Sequence, residues 1–369
     1  LIPVNQPLLG SLERKFICDA LESGWISGSG AYVDRFEKEW AAYCGRQYGI
    51  AVSSGTAALD AALHALNLPE GSEIVMPTFS IISCARAVLA HGLTPVYVDA
   101  DPLTWCMDTK RIEAAITPKT RAIMMVHIYG HPVDTNKVLD LKDRYNLKII
   151  EDAAEAHGAA CRGRRCGSFG DVSTFSFYAN KLITTGEGGM ILCDDRYLAQ
   201  RCRSYCNLYF GDDIRFRHEK LGQNYRFSNL LAALGCAQLQ RMDEFLQLKA
   251  EMARFYQCEL SMISDLQLPV QRPWATNVYW VYGIVLGDTY PFDARELSTR
   301  LQQYGVETRP FFLGMHEQPV FRTINPLPRG SFPVTERLSK RGLYLPSGLG
   351  IQRHELQQVV KALKNALRE

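Results

Sequence analysis

Three short stretches hold residue types that could do chemistry together. The first is Ser53-Ser54-Gly55-Thr56, between a β-branched run and an amphipathic one. Small hydroxyl residues and glycine at a helix start leave backbone N–H groups facing outward, and the helix dipole favours an anion there, so this turn can hold a phosphate. It reads equally as an ordinary helix cap. It is neither a P-loop, since no Gly-Lys-Ser/Thr follows, nor a Gly-x-Gly-x-x-Gly turn. The second is Asp152 in IIEDAAE. An apolar strand that ends in a carboxylate presents it at the carboxyl edge of a parallel sheet, where α/β ligands bind. Metal ligand, general base, partner of a protonated ring nitrogen and helix cap are all open roles. The third is Lys181 in FSFYANKLITTGEGG, a lysine in β-rich apolar surroundings followed by small residues. Desolvation lowers the pKa of such an amine and makes it a nucleophile; a solvated surface lysine would do none of this. A phosphate cradle, a sheet-edge carboxylate and a buried lysine are together what pyridoxal 5'-phosphate (PLP) requires of a protein.

The elements that must position these groups follow from periodicity. From residue 48, short apolar runs alternate with amphipathic stretches: YGIAVSS then GTAALDAALHAL, SEIVMP then SIISCARAVLAHG, TPVYVD then RIEAAI, RAIMMVHIYG then TNKVLDLKDRYN, and LKIIEDAAEA. This predicts an α/β domain on a mainly parallel sheet, whose strands are buried on both faces and so read as continuous apolar runs. VSTFSFY and TTGEGGMILCDD read as two further strands around a glycine-rich turn. A helix is expected over 11–23, capped by Ser11 and stopped by Gly24. A helical region at roughly 227–263 is long enough to cross between domains. The remainder mixes strands (VYWVYGIVL), a helix (DARELSTRLQQYG) and a closing helix after Arg353. The expected organisation is a large domain over 1–245 and a smaller C-terminal α/β domain over 246–369. Trp40, Tyr43 and Leu63 fit helical core faces.

Composition narrows the function classes. Hydrophobic residues make up 47% and charged residues 22%, which is globular and excludes disordered or fibrous chains. Lys plus Arg number 41 against 39 Asp plus Glu, so the chain is not built to neutralise phosphates along nucleic acid. No apolar run reaches the ~18–20 residues of a membrane span. LIPVNQPLLG lacks a basic segment before an apolar one, so no signal peptide is expected. Eleven scattered cysteines read as reduced, core-filling residues of a cytoplasmic protein rather than a disulfide framework. His127 and His131 in HIYGH have metal-like spacing, but Gly130 and Pro132 oppose the helix that spacing needs, and no metal site is expected.

Along nearly its whole length the chain resembles the DegT/DnrJ/EryC1/StrS group of PLP-dependent nucleotide-sugar aminotransferases. The matching stretches are LESGWISGSGAYVDRFEKEWAAYCG, SSGTAALDAAL, TPVYVDADP, VHIYGHP, IIEDAAEAHGA, GSFGDVSTFSFYANKLITTGEGGM, GQNYRFSN and ETRPFF. The resemblance implies fold type I, the aspartate-aminotransferase-like fold. It implies that Lys181 is the Schiff-base lysine, that Asp152 pairs with the pyridine nitrogen and that Glu155 faces the ring's 3-hydroxyl side. Ser54, Gly55, Thr56 and Ser176 would hold the phosphate, and Asn224 would reach the phosphate of a neighbouring subunit, giving a homodimer with shared sites. The group's ring-stacking aromatic aligns with Ile81, a departure for which Phe79 is a candidate substitute. Tyr178, Asn180, Arg309 and His316 are candidate sugar-nucleotide contacts, Arg309 reading equally as a structural ion pair.

The implied reaction is a ping-pong transamination with L-glutamate as donor and pyridoxamine phosphate between the halves. Lys181 sets the chain apart from related dehydratases, which carry a His there. The FSF…NKxITTGEGGM block and TRPFF…H look most like the members that aminate GDP-4-keto-6-deoxy-D-mannose at C4 to give GDP-perosamine. A UDP-linked 4-keto or 3-keto sugar is the alternative substrate, and a catalytically silent PLP-binding regulator the alternative of another class.

Overall fold

The computed structural model describes residues 1–210, 214, 216–218, 220–323 and 330–368. Two helices, α1 (Ser11–Glu22) and α2 (Ala31–Cys44), precede the first strand. There follow β1 (Tyr48–Val52), α3 (Gly55–Leu66), β2 (Glu73–Pro77), α4 (Ile82–Ala90), β3 (Thr94–Val98), β4 (Thr120–Val126), α5 (Thr135–Tyr145) and β5 (Lys148–Asp152). A short hairpin, β6 (Ala160–Cys161) and β7 (Arg164–Arg165), leads to β8 (Val172–Ser176) and β9 (Gly189–Cys193). Seven of these strands form one sheet in the order β1-β9-β8-β5-β4-β2-β3. β9 alone runs against its neighbours β1 and β8, while β8, β5, β4, β2 and β3 are parallel. The mainly parallel sheet expected from the apolar runs is therefore present, and β4 and β5 are buried over nearly their whole length. Reversal at β9 returns β1 to the direction of the parallel strands. The ends of β1, β4, β5 and β8 and the start of β9 consequently share one edge of the sheet.

Helices α6 (Arg196–Cys206), α7 (Asn229–Gln240) and α8 (Met242–Leu260) carry the chain onward. The single helical region expected at 227–263 is two helices, because Arg241 (φ −99°, ψ 10°) leaves the helical conformation between them. The amphipathic RIEAAI stretch yields only a 3-10 turn at Glu113–Ala115. α1 starts one residue earlier than a Ser11 cap would place it: Gly10 is the cap residue, and the Glu13 carboxylate accepts its N–H at 2.7 Å. Beyond α8, an antiparallel sheet of order β10-β12-β14-β13 is built from β10 (Leu266–Gln267), β12 (Tyr282–Leu286), β13 (Arg309–Pro310) and β14 (Gly342–Leu345). β11 (Ala275–Thr276) pairs with β6. α9 (Ala294–Gln303), α10 (Pro333–Arg341) and α11 (Arg353–Ala366) complete the chain. The expected domain boundary at 245/246 falls inside α8. Ile2, at the other end of the sequence, bridges to Val306 and packs with the core of this C-terminal sheet. Among the described residues no helix is long and apolar enough to cross a membrane.

Trp40 is fully buried, with its ring edge-on to Phe175 (5.0 Å) and Phe177 (5.4 Å), so α2 backs β8 and the segment after it. One carboxylate fixes that region from the other side. Glu151 is fully buried and accepts Gly167 N–H (2.6 Å), Phe169 N–H (2.8 Å), Gly170 N–H (3.0 Å) and Ser173 Oγ (2.8 Å). His127 Nε2 donates to it at 3.0 Å, because its Nδ1 already accepts Val133 N–H. Burial pushes the Glu151 carboxyl up, but these donors outweigh it and leave it below the usual range. Cys166 also lies close enough to suggest a metal triad with His127 and Glu151. Both imidazole nitrogens are committed to protein partners, so His127 has no lone pair for a cation. We predict that Glu151→Ala, which strips several buried donors of their acceptor, costs roughly 3–5 kcal/mol of stability, read as a lowered denaturant midpoint.

Candidate active site

At the shared sheet edge lies a cavity of about 340 Å³. Its wall includes Ser54, Gly55 and Thr56 from the start of α3, Ile81 and Ser83 at α4, and Asp152 and Glu155 after β5. Ser176, Tyr178, Asn180 and Lys181 follow from the end of β8 and its loop. Ser54 caps α3 by accepting Ala57 N–H at 3.1 Å, which turns the first N–H groups of that helix toward the cavity mouth. A Cβ on Gly55 would stand 2.8 Å from Ser176 Cβ, so only glycine lets helix and strand approach this closely. Thr56 Oγ1 and Ser83 Oγ share a hydrogen bond of 2.9 Å across the same floor.

The charged groups are nearly dry. Lys181 Nζ stands 4.0 Å from Glu155 Oε1, with side chains 10% and 7% exposed. Burial lowers the lysine pKa, and the negative charges of Glu155 and Asp152 only partly restore it. Burial raises the Glu155 carboxyl to about 7, against the pull of Lys181 and of the Tyr129 N–H it accepts at 2.8 Å. Burial also raises Asp152. Its Oδ1 accepts Ala154 N–H (3.0 Å) and its Oδ2 accepts the Cys84 thiol (3.1 Å), both of which favour the ionised form. The set therefore offers an amine of lowered basicity and two carboxyls of raised pKa within one cleft.

The structure gathers Ser54, Gly55, Thr56, Ile81, Asp152, Glu155, Ser176, Tyr178, Asn180 and Lys181 around the cavity. It does not bring in the other three candidates. Arg309 is more than half exposed and pairs at 2.7 Å with Glu307, two residues earlier on its own segment, rather than across the domains. His316 Nδ1 hydrogen-bonds Thr78 Oγ1 at 2.8 Å, behind the wall. Asn224 is exposed, its backbone bridged to Asn207, away from this chain's own cavity. Phe79 is not a substitute for a stacking ring at Ile81. It is fully buried among Tyr129, Phe311 and Phe312, and the exposed face belongs to Ile81, 41% accessible. Trp280, Phe312 and Tyr344 line the cavity and were not anticipated. They arrive by tertiary packing from the entry to β12, from β14 and from the segment after β13; only Trp280 stood in a run read as a strand, and Phe312 in the ETRPFF stretch.

The donor set suits PLP on grounds visible in the fold. The turn before α3 offers N–H groups and hydroxyls to a phosphate, Asp152 is a buried carboxyl that takes up a positive partner readily, Lys181 is a desolvated amine, and Asn180 Oδ1 is buried with no hydrogen-bond partner, one acceptor still to be satisfied.

A seven-stranded sheet with a single reversed strand, carrying its lysine and carboxylates on one edge, defines an α/β aminotransferase of fold type I. The chain superposes on the aminotransferase TlmJ of Streptoalloteichus hindustanus with a TM-score of 0.92, at 28% identity, covering 100% of this chain and 99% of that one. It is 39% identical to the GDP-perosamine synthase of Escherichia coli O157:H7, covering 94% of this chain and 93% of the relative. It is 38% identical to that of Caulobacter vibrioides, covering 99% and 98%. The DegT/DnrJ/EryC1/StrS aminotransferase family profile matches residues 8–364. The chain belongs to the DegT/DnrJ/EryC1/StrS aminotransferase family.

The raised Glu155 carboxyl has a consequence for stability. Unfolded, it titrates near 4.5; folded, near 7. As pH rises through that window the unfolded chain releases its proton first, so ionisation of Glu155 draws stability away from the native state. The cofactor-free Glu155→Gln variant is expected to gain on the wild type between pH 4.5 and 7, measured as the difference in denaturation midpoints.

Proposed function

We propose that this protein uses PLP to move an amino group from L-glutamate to C4 of GDP-4-keto-6-deoxy-D-mannose, giving GDP-perosamine. The observation that carries this reading is the Lys181–Glu155–Asp152 arrangement in a family whose full-length relatives, at 38–39% identity, are GDP-perosamine synthases. PLP, when bound, supplies a carbonyl that condenses with amines and a ring that takes up the electron pair left by a breaking C–H bond.

The rest of the chemistry falls to this chain's residues. The Lys181 amine would hold the cofactor's carbonyl carbon and, when free, would serve as the base that takes a proton from the substrate carbon and returns it at the neighbouring position. A lysine with an ordinary pKa would stay protonated at neutral pH, so the desolvation that lowers it readies it as a base. Asp152, whose anionic form Ala154 N–H and the Cys84 thiol favour against its burial, would hold a proton on the ring nitrogen. Glu155, titrating near 7, accepts or donates a hydrogen bond at the ring hydroxyl. Ser54, Thr56 and Ser176 orient the phosphate at the start of α3. Tyr178, 47% exposed, and Asn180 stand at the cavity where the sugar must enter. Arg309 and His316, outside the wall, would act on the nucleotide only from farther out.

The functional unit in this reading is a homodimer. Trp25 (62% exposed), Ile26 (50%) and Leu221 (93%) are apolar and uncovered. The 25–28 stretch is tied to the region after Asn224 by Asn229 N–H to Ser27 O at 2.7 Å. A second copy covering this surface would bring Asn224 to the other cavity. Eleven free thiols favour a reducing, cytoplasmic setting.

Borohydride trapping followed by mass spectrometry is expected to locate PLP on Lys181. L-Glutamate is expected to bleach the visible absorbance of the holoenzyme, and a GDP-linked 4-ketosugar to restore it; restoration by a UDP-linked sugar instead would replace the substrate and keep the mechanism. Lys181→Ala should fold normally and lose turnover. Asp152→Asn should retain PLP and slow turnover roughly 10²–10³-fold through loss of the counter-charge; unchanged rates in single-turnover assays would reduce Asp152 to a cap.

A further inference from the structure

Lys181 has a neighbour that neither its local sequence nor its charge partners account for. Trp280, at the entry to β12, is 4% exposed, and its ring centroid lies 3.8 Å from Lys181 Nζ. Its indole N–H donates to Asn180 O at 2.7 Å, one residue before the lysine. Its own carbonyl accepts Lys249 Nζ at 2.8 Å, and the same buried ammonium donates to Ser347 O. The Tyr129–Gly130 turn presses on its backbone, since a Cβ on Gly130 would meet Trp280 N at 2.7 Å. The indole is thus held at both ends and cannot swing away from the amine without breaking buried hydrogen bonds.

We infer that Trp280 is a further catalytic residue whose indole face seats the charged amine of Lys181 whenever that amine is not covalently engaged, fixing where it waits between proton transfers. The negative face of an indole attracts an ammonium ion, and the attraction grows as water is excluded. Glu155 is the nearest charge, at 4.0 Å, and acts from the side opposite in sequence origin, after β5. Other titratable groups around the amine are Asp152 after β5, Cys84 on α4 and His157. Tyr178, Glu187 and Tyr344 complete the cavity wall. Among the described residues no further cation faces the amine, so an aromatic face and a carboxylate that titrates near 7 are its principal stabilisers. At a pH where Glu155 is protonated, the seat on Trp280 remains. The inference rests on Lys181 being the reacting amine.

The test uses the protein without PLP, so that it stands apart from cofactor binding. Competitive labelling with acetic anhydride across pH, read by mass spectrometry on the Lys181 peptide, gives the midpoint at which this amine loses its proton. Trp280→Leu is expected to lower that midpoint by about one pH unit. Should the leucine variant fail to fold, expression with 5-fluoro- and then 5,7-difluorotryptophan leaves the ring's shape nearly intact while weakening its negative face. The midpoint is expected to fall stepwise through that series. A midpoint that stays at the wild-type value with a folded leucine variant, or across the fluorinated series, overturns the inference and leaves Trp280 as packing. Borohydride trapping of PLP on wild-type Lys181 is scored separately. Its failure strikes the proposed cofactor, whatever the labelling midpoint does.

Discussion

A fully buried carboxylate without donors would be intolerable, and that constraint at Glu151 organises the catalytic edge. Its five partners come from three places: a histidine after β4, the loop before β8, and a serine within β8 itself, gathered by a residue of β5. Satisfying one anion therefore sets the spacing and height of β4, β5 and β8 at the end where they deliver side chains. Strand alternation does the rest. Glu151 points into the packed side, so Asp152 must point to the other, into the cleft. The same strand end thus carries one carboxylate held by five donors and one held by two.

The difference in saturation explains the different acidities. Glu151 meets backbone N–H groups, a hydroxyl and an imidazole, and stays below the ordinary range despite complete burial. Asp152 and Glu155 have fewer donors and are raised. Lys181 is lowered by the same dryness. The cleft brings amine and carboxyl values toward one another, which is the condition for moving protons between them near neutrality. A wetter cleft would restore each group to its ordinary value and end that exchange.

What could be read from the sequence was whatever leaves a local trace. Parallel strands buried on both faces appear as apolar runs, so the sheet and its helices were visible; that β9 runs backward between β1 and β8 was not, because strand order is decided by long-range pairing. Lys181, Asp152 and the Ser54–Thr56 turn were legible because each is a chemical type out of keeping with its surroundings. Trp280, Phe312 and Tyr344 were not, since an aromatic in a buried strand looks the same whether it fills a core or faces a cleft. Arg309 and His316 show the converse. Both stand in recognisable motifs, yet one pairs with Glu307 and the other with Thr78, and neither reaches the wall. Phe79 was drawn inward because three aromatic neighbours offered it a better burial than the open face that Ile81 occupies.

The N-terminal residues give the architecture an order in time. Ile2 bridges to Val306, Val4 N–H is accepted by Glu307, and Asn5 donates to Asn180 O beside Lys181. On the ribosome these first residues emerge long before their partners exist. Ile2 and Val4 must remain unpaired while some 300 residues are added, about half a minute at typical elongation rates of 5–20 residues per second, and Asn5 while 175 are added. These residues are thus among the last to find their native places, and the pocket around Lys181 is closed by a segment that has waited for much of the chain.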